Sequence, residues 1–311
     1  MDIVTWCENA YRNRFFKHFS HRNGIYVIDE QWDNLLILDA CRYDTFKELN
    51  TIKGMLETRI SRGSETTEFL LENFARHPTR ENFADIVYIA GNPLVSSLVR
   101  DRFHKIYPVW DYGWDDQLGT VPPGNVANEA LEARTKYPDK RMIVHFMQPH
   151  FPALTGRYEN ETGISGLRRI VKDDLDPVKI AQTSTLDVSV AALLKRGDLD
   201  RNNVLSAYQE NLKMVLSYVA KLVEKLPGRT IITGDHGETF GERPEALYPF
   251  RVFGHPNRLH VKPLVIVPWF IIEGQSPLKV NLPKGDNANA YVYTDEEDAK
   301  IKDRLRKLGY D

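Results

Sequence analysis

Five stretches of this chain are apolar over strand length without alternating: NLLILDA (34–40), ADIVYIAG (84–91), RMIVHFM (141–147), RTIITGD (229–235) and PLVIVPWFII (263–272). Side chains on a strand point alternately to opposite faces, so a run with no polar face needs cover on both. A mainly parallel sheet between two helical layers supplies that cover. LETRIS (56–61) alternates and reads as a sixth, weaker strand. Helical patterns fill the intervals. TTEFLLENFARH (66–77) begins among hydroxyls suited to capping it, and NVANEALEARTKY (125–137) follows a Pro-Gly turn. VLSAYQENLKMVLSYVAKLVEKLPG (204–228) repeats apolar residues at spacings of three and four up to a Pro-Gly stop. The fold class expected is α/β, a largely parallel central sheet with helices on both faces.

With 311 residues, 42% of them hydrophobic and 27% charged, the chain can bury a substantial core and lies far from disordered compositions. A single domain over 1–311 is expected. The polar interval 154–200 reads as an insertion or lid over one sheet edge, and 294–309 as a closing C-terminal helix. A net charge of -2 argues against nucleic acid as a partner. Two cysteines, Cys7 and Cys41, make neither a disulfide framework nor a zinc ribbon. The first thirty residues contain no apolar segment of the signal-peptide kind, and no run approaches the roughly 18 apolar residues of a membrane span. The expected location is cytoplasmic, with no membrane span. Oligomeric state is left open.

Loops diverge at the carboxyl ends of parallel strands, which is where such sheets bind ligands. Metal-competent and polar side chains collect there. Asp39 ends the first run, Asn92 follows the second, His145 and His150 lie in and after the third, and Asp235 and His236 close the fourth. The densest signal is TGDHGETFGE (233–242), an acid beside an imidazole, flanked by glycines that let the backbone turn sharply. Farther on, His255 sits between a glycine and a proline in FGHPN, a rigid place from which to offer another ligand, whereas His260 reads as packed at the entry of the last strand. His145, between apolar neighbours, reads as a hydrogen-bonded core residue.

LLILDACRYD (35–44), GSETTEF (63–69), VHFMQPHFP (144–152), GDHGETFGE (234–242) and GHP (254–256) ahead of PLVIVP (263–268) stand in a telling order. In that order and approximate spacing the chain, from about Asn34 to Trp269, resembles the alkaline phosphatase superfamily, in its sulfatase-like and phosphoethanolamine-transferase-like branch. The resemblance implies an alkaline-phosphatase-like three-layer sandwich. It also implies that Asp39 is a metal ligand and that a hydroxyl at the head of the following helix is the nucleophile, held by the same metal. Thr66 is the position carried over; Ser64 and Thr67 are rivals whose other role is helix capping. A dication lowers the pKa of a bound oxygen by several units, which is what an unassisted threonine hydroxyl lacks. Asp39, Asp235, His236 and Thr66 make about four ligands, as zinc prefers, with His255 resembling a later histidine of the cluster. Zinc or manganese is expected, with calcium or magnesium as alternatives, and a second ion is left open.

His150 resembles the histidine that holds a second metal or the transferred group. Arg42 either grips the anionic group by a forked contact or pairs with Asp44. Asn92 either aims its amide at a nonbridging oxygen or forms the turn before Pro93. Cys41 lacks the signal for conversion to formylglycine and reads as a packing residue. The activity implied is a metal-dependent hydrolase or transferase of phosphate or sulfate esters acting through a covalent intermediate. Its substrate would be a small-molecule, glycan-linked or lipid-linked anionic ester. The alternatives are a catalytically inactive module that binds an anionic glycan or protein, and an intramolecular phosphomutase, which the short 154–200 interval disfavours.

Overall fold

A computed structural model of the protein describes residues 23–155, 168, 172, 189–244 and 249–274. The expected closing helix at 294–309 and most of the 154–200 interval lie outside the described residues.

Seven strands form one sheet: β1 (Asn34–Leu38), β2 (Met55–Ile60), β3 (Phe83–Ala90), β4 (Phe103–Tyr107), β5 (Arg141–Phe146), β6 (Thr230–Gly234) and, after a hairpin, β9 (Ile266–Ile272). Their order is β2-β9-β6-β1-β5-β3-β4. β1 lies centrally, parallel to both β5 and β6, with Leu35 opposite Ile143 on one side and Ile231 on the other. All five of its residues are buried, so both faces of the sheet are covered there. Each fully buried leucine or isoleucine in it contributes about 1.5–3 kcal/mol of hydrophobic stabilisation. β9 alone among the seven is reversed, pairing antiparallel with β2 and with β6. A reversed strand begins where its neighbours end, so the segment entering β9 arrives at the rim formed by the carboxyl ends of the others.

Among the described residues the α-helices are α1 (Tyr43–Leu49), α2 (Thr66–Leu70), α3 (Pro93–Leu98), α4 (Val109–Tyr112), α5 (Pro123–Lys136), α6 (Val190–Arg196), α7 (Arg201–Val223) and α8 (Lys262–Val265). α5 packs on α7 and against β3 and β5, while α1 packs on α7 and β9. α2 runs on as a π-helical turn, Leu71–Ala75, whose Phe74 meets Phe83, Tyr88 and Phe103 edge to face. The main apolar core thus joins sheet and helices.

The strand β4 and the small hairpin of β7 (Phe240–Glu242) and β8 (Val252–Phe253) go beyond the sequence reading. β4, FHKIY, is an edge strand without a fully buried residue, and so lacks the apolar run by which its neighbours are read. PLVIVPWFII is divided: Lys262–Val265 turns as α8 and only Ile266–Ile272 is strand. The cap of α2 is a carboxylate and not a hydroxyl: Glu65 accepts from the backbone N–H groups of Thr67 and Glu68. None of the three hydroxyls beside it serves as that cap.

Candidate active site

β1 runs out at Leu38, and Asp39 stands at its carboxyl end with 2% exposure. The next residue, Ala40, has φ 59, a left-handed conformation that costs a non-glycine residue about 1–2 kcal/mol and turns the chain sharply away from the strand. Its N–H donates to Asp235 Oδ1 at 3.0 Å, and His236 N–H donates to the same oxygen at 2.9 Å. Asp235 Oδ2 is thereby left facing inward. The ends of β1 and β6 are tied together in this way, which follows from their parallel pairing.

The third contribution comes from β2, whose chain continues through Ser61–Glu65 into α2. Ser61 Oγ donates to the Asp235 carbonyl, and Ser64 Oγ donates to Glu68 Oε2 at 3.0 Å and to the Pro256 carbonyl at 3.1 Å. With that loop fixed, Thr66 Oγ1 lies 2.8 Å from Asp235 Oδ2 and 3.2 Å from His236 Nε2. The structure therefore places Thr66, and not Ser64, against Asp235 and His236. His236 Nδ1 faces the Gly237 carbonyl at 2.7 Å, so Nδ1 carries the hydrogen and the Nε2 lone pair is free. That nitrogen is 3.6 Å from Asp39 Oδ1 and 3.6 Å from Asp235 Oδ2. Gly237 is required where it stands: a Cβ there would lie 2.0 Å from the Pro263 carbonyl oxygen.

These four groups fit a dication. Donors about 2.0–2.1 Å from a zinc ion stand about 3.3 Å apart at tetrahedral corners, which matches the spacings from 2.8 to 3.6 Å. Asp39 Oδ1 is buried with no hydrogen-bond partner, although Asn92 Nδ2 donates to Oδ2 at 2.7 Å. Burial and then the charge of Asp235 push the Asp39 carboxyl well above the usual range. Burial and the neighbouring His255 hold His236 well below the ordinary imidazole range, so it is a neutral ligand. Two neighbouring buried carboxyl groups, an orphaned oxygen and a neutral imidazole aimed between them could hold a cation.

A second group stands beside the first. His150 and His255 rings are 5.1 Å apart, and His236 and His255 rings 4.6 Å. His255 Nδ1 meets Glu238 Oε2 at 3.0 Å. Burial opposes charge on His255, but Glu238, with Asp39 and Glu65 beyond, outweighs it and lifts the imidazole to about 9. His150 is held below the ordinary range by burial and by His255, and its Nδ1 faces the Phe151 carbonyl at 2.7 Å. One ligand atom each from His150, Glu238 and His255 lies within 4.8 Å of the others. His255, expected with the Asp39 ligands, thus stands with His150 and Glu238.

Asn92 forms the turn expected of it, its Oδ1 accepting from Leu94 N–H as the cap of α3, while its amide, expected at a nonbridging oxygen, donates to Asp39 Oδ2. Arg42 faces carboxylates: it forks onto Asp44 at 2.9 and 2.6 Å, donates to the Glu238 carbonyl at 2.9 Å and pairs with Glu242. Of the two roles set out for Arg42, the pairing with Asp44 is the one made here. His145 Nδ1 lies 2.9 Å from Tyr88 Oη, but its buried Nε2 is unpartnered 3.8 Å from Asp235 Oδ2, so that one ligand atom each from Asp39, His145 and Asp235 lies within 4.8 Å of the others. Cys41 is fully buried. His260 pairs with Glu68 at 2.9 Å. Glu238 escaped the sequence reading although it stands inside the Asp-His-Gly-Glu segment. Its signal was the motif itself. Tyr208 and Asn211 escaped too, and they carry none, being buried positions in a regular helical pattern.

No protein-family model and no curated protein matches the chain. Its structure is similar to those of phosphoethanolamine transferases. Lipooligosaccharide phosphoethanolamine transferase A from Neisseria meningitidis shares 11% identity at a TM-score of 0.45, over 88% of this chain and 55% of that one. The present chain thus spans little more than half the length of that integral membrane protein. The C-terminal periplasmic domain of phosphoethanolamine transferase EptC from Campylobacter jejuni shares 15% identity at a TM-score of 0.44, over 78% of each chain. A protein of the alkaline phosphatase superfamily from Vibrio parahaemolyticus shares 13% identity at 0.41, over 78% of this chain and 60% of that one. These likenesses are distant, and the chemistry is read from the site's own residues. Among the described residues no helix is long and apolar enough to cross a membrane.

Proposed function

We propose that the protein is a metal-dependent hydrolase or transferase of phosphate or sulfate esters, with Thr66 as nucleophile. The observation that carries this reading is the convergence of Thr66 Oγ1, Asp235 Oδ2, His236 Nε2 and the unpartnered Asp39 Oδ1 at the carboxyl end of the sheet. Asp39, Asp235, His236 and Thr66 would hold the ion, zinc or manganese by the mix of nitrogen and oxygen donors. Such an ion supplies charge stabilisation to the oxygens of the transferred group and favours the ionised hydroxyl.

The residues divide the remaining work. Thr66 Oγ1, held 2.8 Å from Asp235 Oδ2, is presented to phosphorus or sulfur, its proton passing to solvent as the new bond forms. The ester's leaving oxygen departs with its bonding electrons and needs a proton. His255, charged at neutral pH through Glu238, is placed to give one. His150, neutral, with its Nδ1 turned to the Phe151 carbonyl, offers Nε2 as an acceptor for the water or alcohol that releases the group from Thr66. Asn92 keeps Asp39 oriented.

The test combines metal analysis with turnover of nitrophenyl phosphate, phosphodiester, phosphonate and sulfate esters by the wild type and Thr66→Ala. Bound zinc or manganese, turnover of at least one ester and its loss in the variant support the reading. Undiminished turnover in a folded Thr66→Ala protein would remove Thr66 from the role.

A further inference from the structure

α7 delivers two buried polar side chains, three residues apart and so on one face of the helix, to the two loops that carry Asp39 and His150. Tyr208 is fully buried, and its Oη donates to the Ala40 carbonyl at 2.7 Å while accepting from Arg42 N–H at 3.0 Å. It thus bridges the two sides of the left-handed turn that follows Asp39. Arg42, gripped at its backbone, reaches on to the Glu238 carbonyl. Asn211 is 1% exposed and faces four backbone groups of the other loop. Its Nδ2 lies 3.3, 3.2 and 2.9 Å from the carbonyls of Pro149, His150 and Pro152, and its Oδ1 accepts from Leu154 N–H at 2.8 Å. The two loops also meet directly, since His150 N–H donates to the Asp39 carbonyl at 3.1 Å.

Neither side chain is exposed enough to touch a substrate. Each satisfies the carbonyls of an irregular loop that no strand could satisfy. We infer that Tyr208 and Asn211 are positioning residues: Tyr208 holds the strained Ala40 turn that presents Asp39 to the cation, and Asn211 holds the loop that presents His150 to the transferred group. This rests on the proposed reading of Asp39 and His150. The two roles separate by what they act through. Loss of the Tyr208 hydroxyl weakens metal binding, and loss of the Asn211 amide weakens turnover while leaving metal binding alone.

The test measures zinc affinity by competition calorimetry, thermal unfolding, and kcat and KM on whichever nitrophenyl ester the wild type turns over. Tyr208→Phe keeps the ring that packs 5.1 Å from Phe240. It is expected to bind zinc about 10–100-fold more weakly, the usual cost of losing a group that orients a metal ligand. Ala40→Gly in the same chain removes the steric penalty at φ 59 and is expected to recover at least tenfold of that affinity. Asn211→Asp, with Asn211→Ser beside it should the carboxylate unfold the protein, is expected to keep zinc affinity within about threefold while kcat falls at least tenfold. A folded Tyr208→Phe protein with wild-type zinc affinity, or a double variant that recovers nothing, overturns the role of Tyr208. Asn211 variants with wild-type kcat overturn the other. A wild type that binds no zinc or manganese, or a Thr66→Ala protein of full activity, instead removes the reading of the site, and this inference with it.

Discussion

Thr66 Oγ1 and Asp235 Oδ2 stand 2.8 Å apart although 169 positions separate them in the chain. Parallel pairing of β1 with β6, the reversed β9 and the loop after β2 together create that proximity, and the reactivity proposed for the hydroxyl depends on it.

Replacement of Thr66 by alanine is expected to reduce turnover by roughly 10³-fold or more, since the loss of a nucleophile removes the covalent route entirely. Thr66→Ser should retain part of it. Ser64→Ala should keep the route, because Ser64 Oγ is engaged by Glu68 and the Pro256 carbonyl. Mass spectrometry of protein quenched during turnover should locate the transferred group on Thr66.

Asp39→Asn is expected to have opposite effects with and without metal. A carboxyl raised above its unfolded value favours folding when protonated, a contribution present at low pH and lost as pH rises through the folded pKa. At neutral pH the chelated wild type therefore bears a cost at this buried carboxyl, either in holding the charge or in taking up a proton, and the neutral amide should raise its Tm by about 2 °C or more. In the presence of zinc or manganese the wild type should gain about 2.7 kcal/mol at metal 100-fold above Kd, and the variant should gain none. Calorimetric scans at matched pH check both.

Glu238→Gln should strip His255 of its counter-charge. In the chelated wild type the imidazole should titrate near 9, so its pairing stabilises the fold below the ordinary 6.5 and is lost as pH rises through 9. In the variant only Asp39 and Glu65 oppose the burial, and the midpoint should fall well below that of the wild type. Histidine proton resonances followed against pH read this directly, and the alkaline limb of the pH–rate profile should move to lower pH with it.

Gly237→Ala should displace the Asp235–Glu238 turn, because its Cβ would meet the Pro263 carbonyl oxygen at 2.0 Å and endanger the 2.7 Å bond from Gly237 N–H to the Leu264 carbonyl. Metal affinity and Tm should both fall. Gly197→Ala is the control: φ is +83 with open space around the added carbon, so stability falls by the backbone penalty of about 1–2 kcal/mol, Tm falls with it, and metal affinity stays.

The sheet was legible because its central strands need cover on both faces, and an apolar run of strand length is what that need looks like in one dimension. β4 was not, since an edge strand such as FHKIY is only half covered and loses that run. Much of the site was legible because parallel strands deliver their carboxyl ends to one rim, so Asp39, Asn92, His150 and Asp235–His236 could be grouped before any coordinates. The choice of Thr66 over Ser64 was not, because both hydroxyls precede the same apolar helix pattern. The Glu65 cap of α2 and the anchoring of Ser64 to the Pro256 carbonyl set Thr66, and not Ser64, against Asp235 and His236.

By itself, then, the order of residues determined the layered α/β architecture and the chemical kinds gathered at one end of it, since periodicity and strand polarity are local properties of the chain. Only the tertiary structure decided which atoms face each other: that His255 answers to Glu238, that Arg42 is held by Asp44 and Glu242, and that Tyr208 and Asn211 support the loops from behind. Hydrogen bonds act over about 3 Å and require alignment. Partners nearly two hundred positions apart come within that range only once the sheet has closed around them.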